Sequence, residues 1–462
     1  MHDLIREKLA DRQLLILGFG REGQSTYRLI RKVLPEQLLT IADANEAIPD
    51  LALLAGDQHL EFSLGKDYLS GLDRFDLIIK TPGITRKDLP ESLPRTKITS
   101  QTDLFLQNYS QQVAGITGTK GKSTTSSLLY HILKHAEKPA VLLGNIGRPA
   151  FDLVDEISPE TTIVFEMSSH QLEYIRVAPH IAVLLNLYQE HLDAYHSFRD
   201  YQLAKWNITA CQDENDYFIY NADDDLILGH LLDSAFIRHT RPFSAEHAVP
   251  DGCFVRDEKI IFSLNEVQEE FLDLAKKRKL KGGHNVLNIM AVIICCKILG
   301  IDDDLVREGI ASFTGLEHRL EDAGEYQWIR FFNDSIATIP EACIEAVKAL
   351  GNVDTLILGG FDRKVDYSGL AAFLSASVVR NFILVGEAGQ RIGEELMKLN
   401  LQDKKLFPVS RFDDFAEIAF KETRKGSICL LSPAAASYDE FQNFEMRGKR
   451  FKELVSGKAS NS

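Results

Sequence analysis

Basic residues are in short supply: 52 lysines and arginines stand against 67 aspartates and glutamates, a formal net charge of -15 at pH 7. Such a surface repels nucleic acid and anionic membrane, so an anionic ligand needs local basic or glycine-rich sites. Cysteine is scarce too. The six (Cys211, Cys253, Cys295, Cys296, Cys343, Cys429) form no C-x-x-C pair and sit mostly among apolar neighbours, which argues against a metal or disulfide framework and for reduced core thiols. No apolar run approaches the length of a bilayer span, so membrane insertion is not expected. The opening Met1-His2-Asp3-Leu4-Ile5-Arg6-Glu7-Lys8 reads as the start of an amphipathic helix and lacks the apolar core and cleavage site of a signal peptide, which places the chain in the cytoplasm. Low-complexity linkers and short internal repeats are also missing.

What is present is a chain of 462 residues, long enough for two to four domains, with three as the natural expectation. Strand-like apolar runs at 14–17, 38–42, 77–80, 112–116, 162–166, 181–186, 355–358, 381–385 and 427–431 alternate with helical patterns, the rhythm of an α/β fold. A helix is expected from Gln101, and a new strand, Gln327–Phe332, after the Phe313-Thr314-Gly315-Leu316 break. Domains over 1–100, 101–315 and 316–462 follow.

Two glycine-rich loops carry the chemistry. Gly18-Phe19-Gly20-Arg21-Glu22-Gly23 follows a strand and opens a helix, with Asp43 closing the next strand at the spacing of a ribose-binding acid. Glycines there let backbone N–H groups approach a diphosphate at the helix N-terminus. A tight turn with no ligand, or the dinucleotide module of a dehydrogenase, are the alternatives. The second loop, Gly118-Thr119-Lys120-Gly121-Lys122-Ser123-Thr124, also follows a strand and precedes a helix expected from about Ser126. It is shorter than the strict Walker pattern, which would need glycine at Ile116. The parts still fit: backbone donors for phosphates, Lys122 for the β/γ oxygens, and a hydroxyl of Ser123 or Thr124 for Mg²⁺. Two such loops suggest two nucleotide-bearing ligands, one of them ATP.

Further motifs complete a pattern: Thr81-Pro82-Gly83-Ile84, Gly144-Asn145-Ile146-Gly147, Glu166-Met167-Ser168-Ser169-His170-Gln171-Leu172, Asn186-Leu187-Tyr188-Gln189-Glu190-His191-Leu192-Asp193, Gly283-His284-Asn285-Val286-Leu287-Asn288, Gly315-Leu316-Glu317-His318-Arg319, Asn333-Asp334-Ser335 and Ser432-Pro433-Ala434-Ala435-Ala436-Ser437. In order and spacing the chain resembles the Mur ligases along nearly its whole length. The resemblance implies a Rossmann-like N-terminal domain for a UDP-sugar, a central P-loop ATPase-like domain, and a C-terminal Rossmann-like α/β domain for an amino acid. It implies an amide-forming ligase in which ATP turns the substrate carboxylate into an acyl phosphate that an amine attacks. The run Ser432 to Gly448 is similar to the D-glutamate-adding member, whose partners are UDP-N-acetylmuramoyl-L-alanine, D-glutamate and ATP; the D-N-P-R run of the diamino-acid-adding member is absent. A monomer is expected.

By the same resemblance, Gly118, Thr119, Lys120, Gly121, Lys122, Ser123, Thr124, Asn288, Arg319 and Asp334 serve ATP, and Lys122, Glu166, His191 and Lys205 are catalytic. Ser123, Glu166, His191 and Lys205, the last as a CO₂-derived carbamate, would hold two Mg²⁺ ions. Gly20, Arg21, Glu22, Asp43, Gly83, Asn145, Gln171 and His191 serve the UDP-sugar, and Thr338, Arg363, Ser437, Tyr438 and Phe444 the amino acid. Departures from the family pattern are Glu190 for an aspartate, Ile336 for a lysine, Ala44 and Asn45 near the uridine, and Arg363 followed by Lys364 as the glycine-loop cation. A nucleotide-binding protein without ligase activity is the remaining alternative.

Overall fold

A computed structural model of the chain describes residues 1–46, 48, 54, 56–190, 194–232, 239–275, 280, 283–401 and 403–460. His191, expected at both the metal and the sugar site, lies outside the described residues. Two compact units are formed, Met1–Phe313 and Thr314–Ser462.

The first unit begins with the expected amphipathic helix, His2–Leu9, which buries Ile5 and Leu9. Its first sheet consists of β1 (Leu14–Leu17), β2 (Leu39–Asp43), β3 (Leu60–Leu64), β4 (Leu77–Lys80) and β5 (Ile98–Thr99), all parallel in the order β3-β2-β1-β4-β5. Every residue of β1 and β4 is buried, which is why both read as unbroken apolar runs rather than alternating ones. The winding reverses between β1 and β4, so the loop leaving β1 opens at a topological switch point, where ligands of such sheets bind.

The second sheet contains β6 (Val113–Thr117), β7 (Ala140–Gly144), β8 (Thr162–Glu166), β9 (Ile181–Leu184), β10 (Tyr217–Asn221), β11 (His239–Ser244), β12 (Cys253–Arg256), β13 (Lys259–Leu264) and β14 (Val267–Asp273), in the order β14-β13-β12-β11-β10-β9-β6-β8-β7. It is parallel from β7 to β12 and antiparallel from β12 to β14. The helix after the second glycine loop starts at Lys122, not near Ser126, because Gly121 takes a left-handed conformation at its N-cap (φ +86°) and the helix follows without a spacer. The segment joining the two sheets is pinned: buried Asp103 accepts from Thr99 Oγ1 (2.8 Å) and from both the backbone N–H (2.8 Å) and guanidinium of Arg176.

The second unit carries β15 (Glu321–Tyr326), β16 (Ile329–Asn333), β17 (Val353–Gly359), β18 (Asn381–Val385), β19 (Lys405–Val409) and β20 (Ile428–Leu431), ordered β15-β16-β20-β17-β18-β19 and parallel except for the β15–β16 hairpin. Strand β16 starts two residues later than expected, since Gln327 and Trp328 have positive φ and form the hairpin turn. Five cysteines are buried as expected; Cys211, at the end of the helix Phe198–Ala210, is exposed. Among the described residues no helix is long and apolar enough to cross a membrane.

Candidate active site

The second glycine loop leaves the central strand β6 and is tied to the chain emerging from β9. Thr119 N–H donates to the Asn186 carbonyl (3.0 Å), while the Asn186 side chain accepts from Lys120 N–H (2.8 Å) and donates to the Lys120 carbonyl (3.0 Å). Side chains cannot replace hydrogen here. A Cβ on Gly118 (φ +153°) would lie 2.9 Å from Leu185 Cβ, and one on Gly121 would lie 2.6 Å from Asn288 Oδ1. Asn288 is buried, with its Oδ1 set against the loop at Gly121. Lys122 Nζ donates to the carbonyls of Gly118 and Thr119, both at 2.9 Å. The hydroxyls of Thr125 and Ser126 are spent on the carbonyls of Gly121 and Lys122. Ser123 and Thr124, two residues earlier, are the hydroxyls still suited to a cation or phosphate. Lys120 forms a 2.5 Å ion pair with Glu190, giving the family-departing glutamate a partner in the loop itself.

Beside the loop lie two buried charged groups. Lys205 is 2% exposed and donates from Nζ to the Gly118 carbonyl (2.8 Å). Burial, reinforced by the charge of Lys122, holds its amine well below the usual lysine range; Glu190 and Glu166 oppose this in part. A neutral amine is the form that takes up CO₂, so the position fits the expected carbamate. Glu166, at the end of β8, is fully buried; Oε1 accepts from Asn145 Nδ2 (2.8 Å), and Oε2 has no hydrogen-bond partner. An orphaned buried carboxylate oxygen is costly unless something binds it, and a hard divalent cation suits it. Among the described residues no three His, Cys, Asp or Glu side chains gather as a metal centre. One carboxylate at Glu166, completed by hydroxyl, phosphate and water oxygens, would make a Mg²⁺ site.

The first glycine loop borders a cavity of about 490 Å³ whose walls include Gly20, Arg21, Glu22, Asp43, Gly83, Asn145 and Gln171. Seven of the eight residues expected to serve a UDP-sugar are thereby brought together; the eighth, His191, is not described. Gly18 is left-handed (φ +90°), and a Cβ there would collide with Thr81 Oγ1 at 2.2 Å, so loop and Thr81 are shaped to each other. Asp43 already accepts from Phe19 N–H (2.7 Å) at Oδ2 and from the Asn45 backbone (2.8 Å) and side chain (3.0 Å) at Oδ1. It thus fixes the loop's shape as well as lining the cavity. Arg21 donates to the Gly147 carbonyl (2.6 Å), and Gln171 Nε2 to Glu22 Oε1 (2.6 Å).

In the second unit, Asp334 at the end of β16 is buried, accepts from Ser432 Oγ (2.8 Å) and Leu320 N–H (3.1 Å), and has its carboxyl pushed up by burial to about 6, with exposed Arg319 opposing. Lys364 is paired with Asp362 (3.0 Å) and Glu387 (2.8 Å). Arg363 has no carboxylate partner among the described residues and lies over the exposed Tyr438 ring, 5.6 Å from its centre. Ser437 is buried, Thr338 half-buried, and Phe444 opens the helix Phe444–Ser460 with its carbonyl accepting from Ser335 Oγ (2.9 Å). Sequence reasoning missed Arg447. Buried on that helix, it donates to the carbonyls of Ser335 (2.9 Å), Ala435 (3.1 Å) and Ala436 (3.1 Å), shaping the loop that carries Ser437 and Tyr438.

The model of the Mur ligase middle domain matches residues 116–296. Over 412 residues, 86% of each chain, the sequence is 32% identical to a UDP-N-acetylmuramoylalanine–D-glutamate ligase of Acetivibrio thermocellus. Over 452 residues, 96% of each chain, it is 30% identical to a UDP-N-acetylmuramoylalanine–D-glutamate ligase of Clostridium botulinum. Among solved structures, the UDP-N-acetylmuramate-alanine ligase MurC of Thermotoga maritima is 20% identical with a TM-score of 0.53, covering 97% of this chain and 100% of that one. The MurF ligase of Thermotoga maritima in complex with ADP is 17% identical, also with a TM-score of 0.53, covering 100% of both chains. At these identities the structural likeness speaks for the fold. Sequence identity of about a third along nearly the whole length, with the matched middle domain and the shared α/β architecture, makes this chain a member of the Mur ligase family.

Proposed function

We propose that the chain is an ATP-dependent ligase that joins D-glutamate to UDP-N-acetylmuramoyl-L-alanine, a cytoplasmic step in making peptidoglycan precursors. Residues 1–100 would bind the UDP-sugar, 101–315 the ATP and 316–462 the amino acid, with the protein acting as a monomer. The observation that carries the reading is Asn145. It lines the cavity of the first glycine loop and hydrogen-bonds Glu166, so the wall of the sugar pocket is one bond away from the carboxylate behind the phosphate loop.

Chemistry follows from that adjacency. An L-alanyl carboxylate is a poor electrophile; its oxygen attacks the γ-phosphorus of ATP, the bond to ADP breaks, and the acyl phosphate forms. The D-glutamate amine then attacks the acyl carbon, loses a proton, and phosphate leaves. The first step brings anions together, so cations must offset the charge. Lys122 supplies one from the loop. Mg²⁺, held at Glu166 with Ser123, His191 and the Lys205 carbamate and most simply as two ions, would draw charge from the phosphoryl oxygens. Asn288, Arg319 and Asp334 would hold the nucleotide. D-Glutamate needs its carboxylates held with the amine left free, a task suited to the Arg363 fork beside Tyr438, which has no carboxylate partner among the described residues, and to Thr338, Ser437 and Phe444.

The test is phosphate release by the purified chain with ATP, Mg²⁺ and UDP-N-acetylmuramoyl-L-alanine, screened against D-glutamate, L-glutamate, L-lysine and diaminopimelate. Release confined to D-glutamate, with the amide product seen by mass spectrometry, is the expected result. Release with another amino acid moves the chain to another member of the family, and none with any moves it to a binding protein.

A further inference from the structure

Inside the first unit lies a buried charge pair that the proposed chemistry does not use. Lys80 closes β4, and Glu173 follows the four-residue helix Ser169–Leu172. They are 2% and 4% exposed, and Lys80 Nζ stands 3.0 Å from Glu173 Oε2. His170 Nδ1 lies 3.3 Å from the other oxygen, and its ring stacks on buried Tyr195 with 5.3 Å between centres. Burial pushes the Glu173 carboxyl up, but His170 and Lys80 more than offset it and hold it below the usual carboxylate range. Two charges so far from water are tolerable only as a pair, and removing one strands the other.

Each partner stands directly behind a wall of the first cavity. Thr81, next after Lys80, lines the cavity and donates its hydroxyl to the Leu17 carbonyl (3.0 Å), where the first glycine loop begins. Gln171, two residues before Glu173, lines it as well and donates to Glu22. A helix of four residues has almost no stability of its own, so its place depends on what grips it. Gln171 N–H donates to Ser168 Oγ (3.3 Å) at one end; at the other, Asn207 donates to the Leu172 carbonyl (3.0 Å) and Arg95 to the Glu173 carbonyl (2.8 Å). Lys80 adds a buried ionic link between that helix and the strand whose end carries Thr81.

We propose that Lys80 is a positioning residue for the UDP-sugar: through Glu173 it fixes Gln171 relative to Thr81, and so sets the spacing of two walls of the cavity without touching the ligand. This rests on the reading of the cavity as the UDP-sugar site and adds to it a residue that acts from behind the wall. Lys80→Met leaves the Glu173 carboxylate buried with only His170 beside it. The short helix is the part most easily displaced to bring that carboxylate to water, and Gln171 moves with it. Glu173→Gln strands Lys80 in the same way. Removing both charges together relieves the strain, because a neutral pair of similar volume has nothing to hydrate.

The experiment is a double-mutant cycle on the full chain, with UDP-N-acetylmuramoyl-L-alanine and a non-hydrolysable ATP analogue titrated separately by calorimetry. Lys80→Met and Glu173→Gln are each expected to weaken the UDP-sugar about tenfold or more, and the double variant to return to within about threefold of wild type. Affinity for the ATP analogue is expected to stay within about twofold throughout. Hydrogen exchange in peptides spanning 168–175 should quicken in the single variants and slow again in the double. Single variants that melt earlier yet keep the wild-type UDP-sugar affinity, or that lose both ligands alike, make the pair merely structural and overturn the proposal. If Lys80→Met does not fold, Lys80→Arg, which keeps the charge on a longer side chain, takes its place. It is expected to weaken the UDP-sugar about threefold or more and leave the ATP analogue unchanged, and wild-type affinity for both overturns the proposal. Failure of wild type to bind the UDP-sugar overturns the cavity assignment and the proposal with it.

Discussion

Replacing Asp334 with asparagine should make the C-terminal unit more stable at neutral pH, although it removes a carboxylate proposed to serve the nucleotide. Asp334 is 5% exposed, and its carboxyl titrates at about 6 in place of the ordinary 3.8. With the folded value above the unfolded one, the unfolded chain gives up its proton first. Stability is thus unaffected below about pH 4, falls between about 4 and about 6, and stays lowered above that range. A shift of roughly two units corresponds to about 3 kcal/mol. Asparagine can still accept from Leu320 N–H, and the Ser432 hydroxyl can turn to accept from the new amide. Repacking of that pair leaves an expected gain of about 2 kcal/mol at pH 7.5, and little or none at pH 4. The assay is urea unfolding at several pH values, read by hydrogen exchange in peptides spanning β16 and β20 so that only the second unit is followed. A gain independent of pH, or a loss at pH 7.5, would refute the reasoning. The same variant should bind ATP more weakly, since a carboxylate that destabilises its own fold is otherwise hard to account for.

Lys205→Ala should abolish phosphate release, and formate or acetate, placing a carboxylate where a carbamate would sit, should restore part of it; full activity without rescue counts against the carbamate. Arg363→Ala should raise the KM for the amino acid about tenfold or more while leaving that for ATP nearly unchanged, because the guanidinium, over the Tyr438 ring, has no carboxylate partner among the described residues; an unchanged amino acid KM removes Arg363 from recognition. Gly121→Ala forces a side chain into φ +86° and to within 2.6 Å of Asn288 Oδ1. Left-handed strain of about 1–2 kcal/mol plus displacement of Asn288 should weaken binding of a fluorescent ATP analogue by tenfold or more, and an undiminished affinity would show the loop to be more pliant than its hydrogen bonds suggest.

The layered fold was legible because its central strands are buried on both faces. Leu14–Leu17, Leu77–Lys80 and Thr162–Glu166 stand out as apolar runs, and the glycine loops announce themselves where those runs end. The hairpins were not legible. Their turns are Asp257-Glu258, Asn265-Glu266 and Gln327-Trp328, all with positive φ at both residues and none with glycine, so the local signal of a tight hairpin is missing. Arg447 was passed over for a related reason: an arginine on an amphipathic helix looks like a surface residue until five-donor geometry finds buried carbonyls. The Glu22–Gln171 contact joins positions 149 residues apart, and the orphaned oxygens of Glu22 and Glu166 are properties of a packed interior that no spacing rule encodes.

The position of β20 in the third sheet has a consequence for synthesis. It lies between β16 and β17, hydrogen-bonded to both, yet follows β17, β18 and β19 in the chain. A growing polypeptide emerging from the ribosome can lay down every other strand of this unit and still lack the one at the middle of the sheet, leaving two half-sheets with bare inner edges. Such intermediates are sticky, and they persist until the segment carrying Ile428–Leu431 arrives. Premature stop codons late in the reading frame should therefore yield aggregates or protease substrates rather than shortened but folded proteins, with damage disproportionate to the few residues lost.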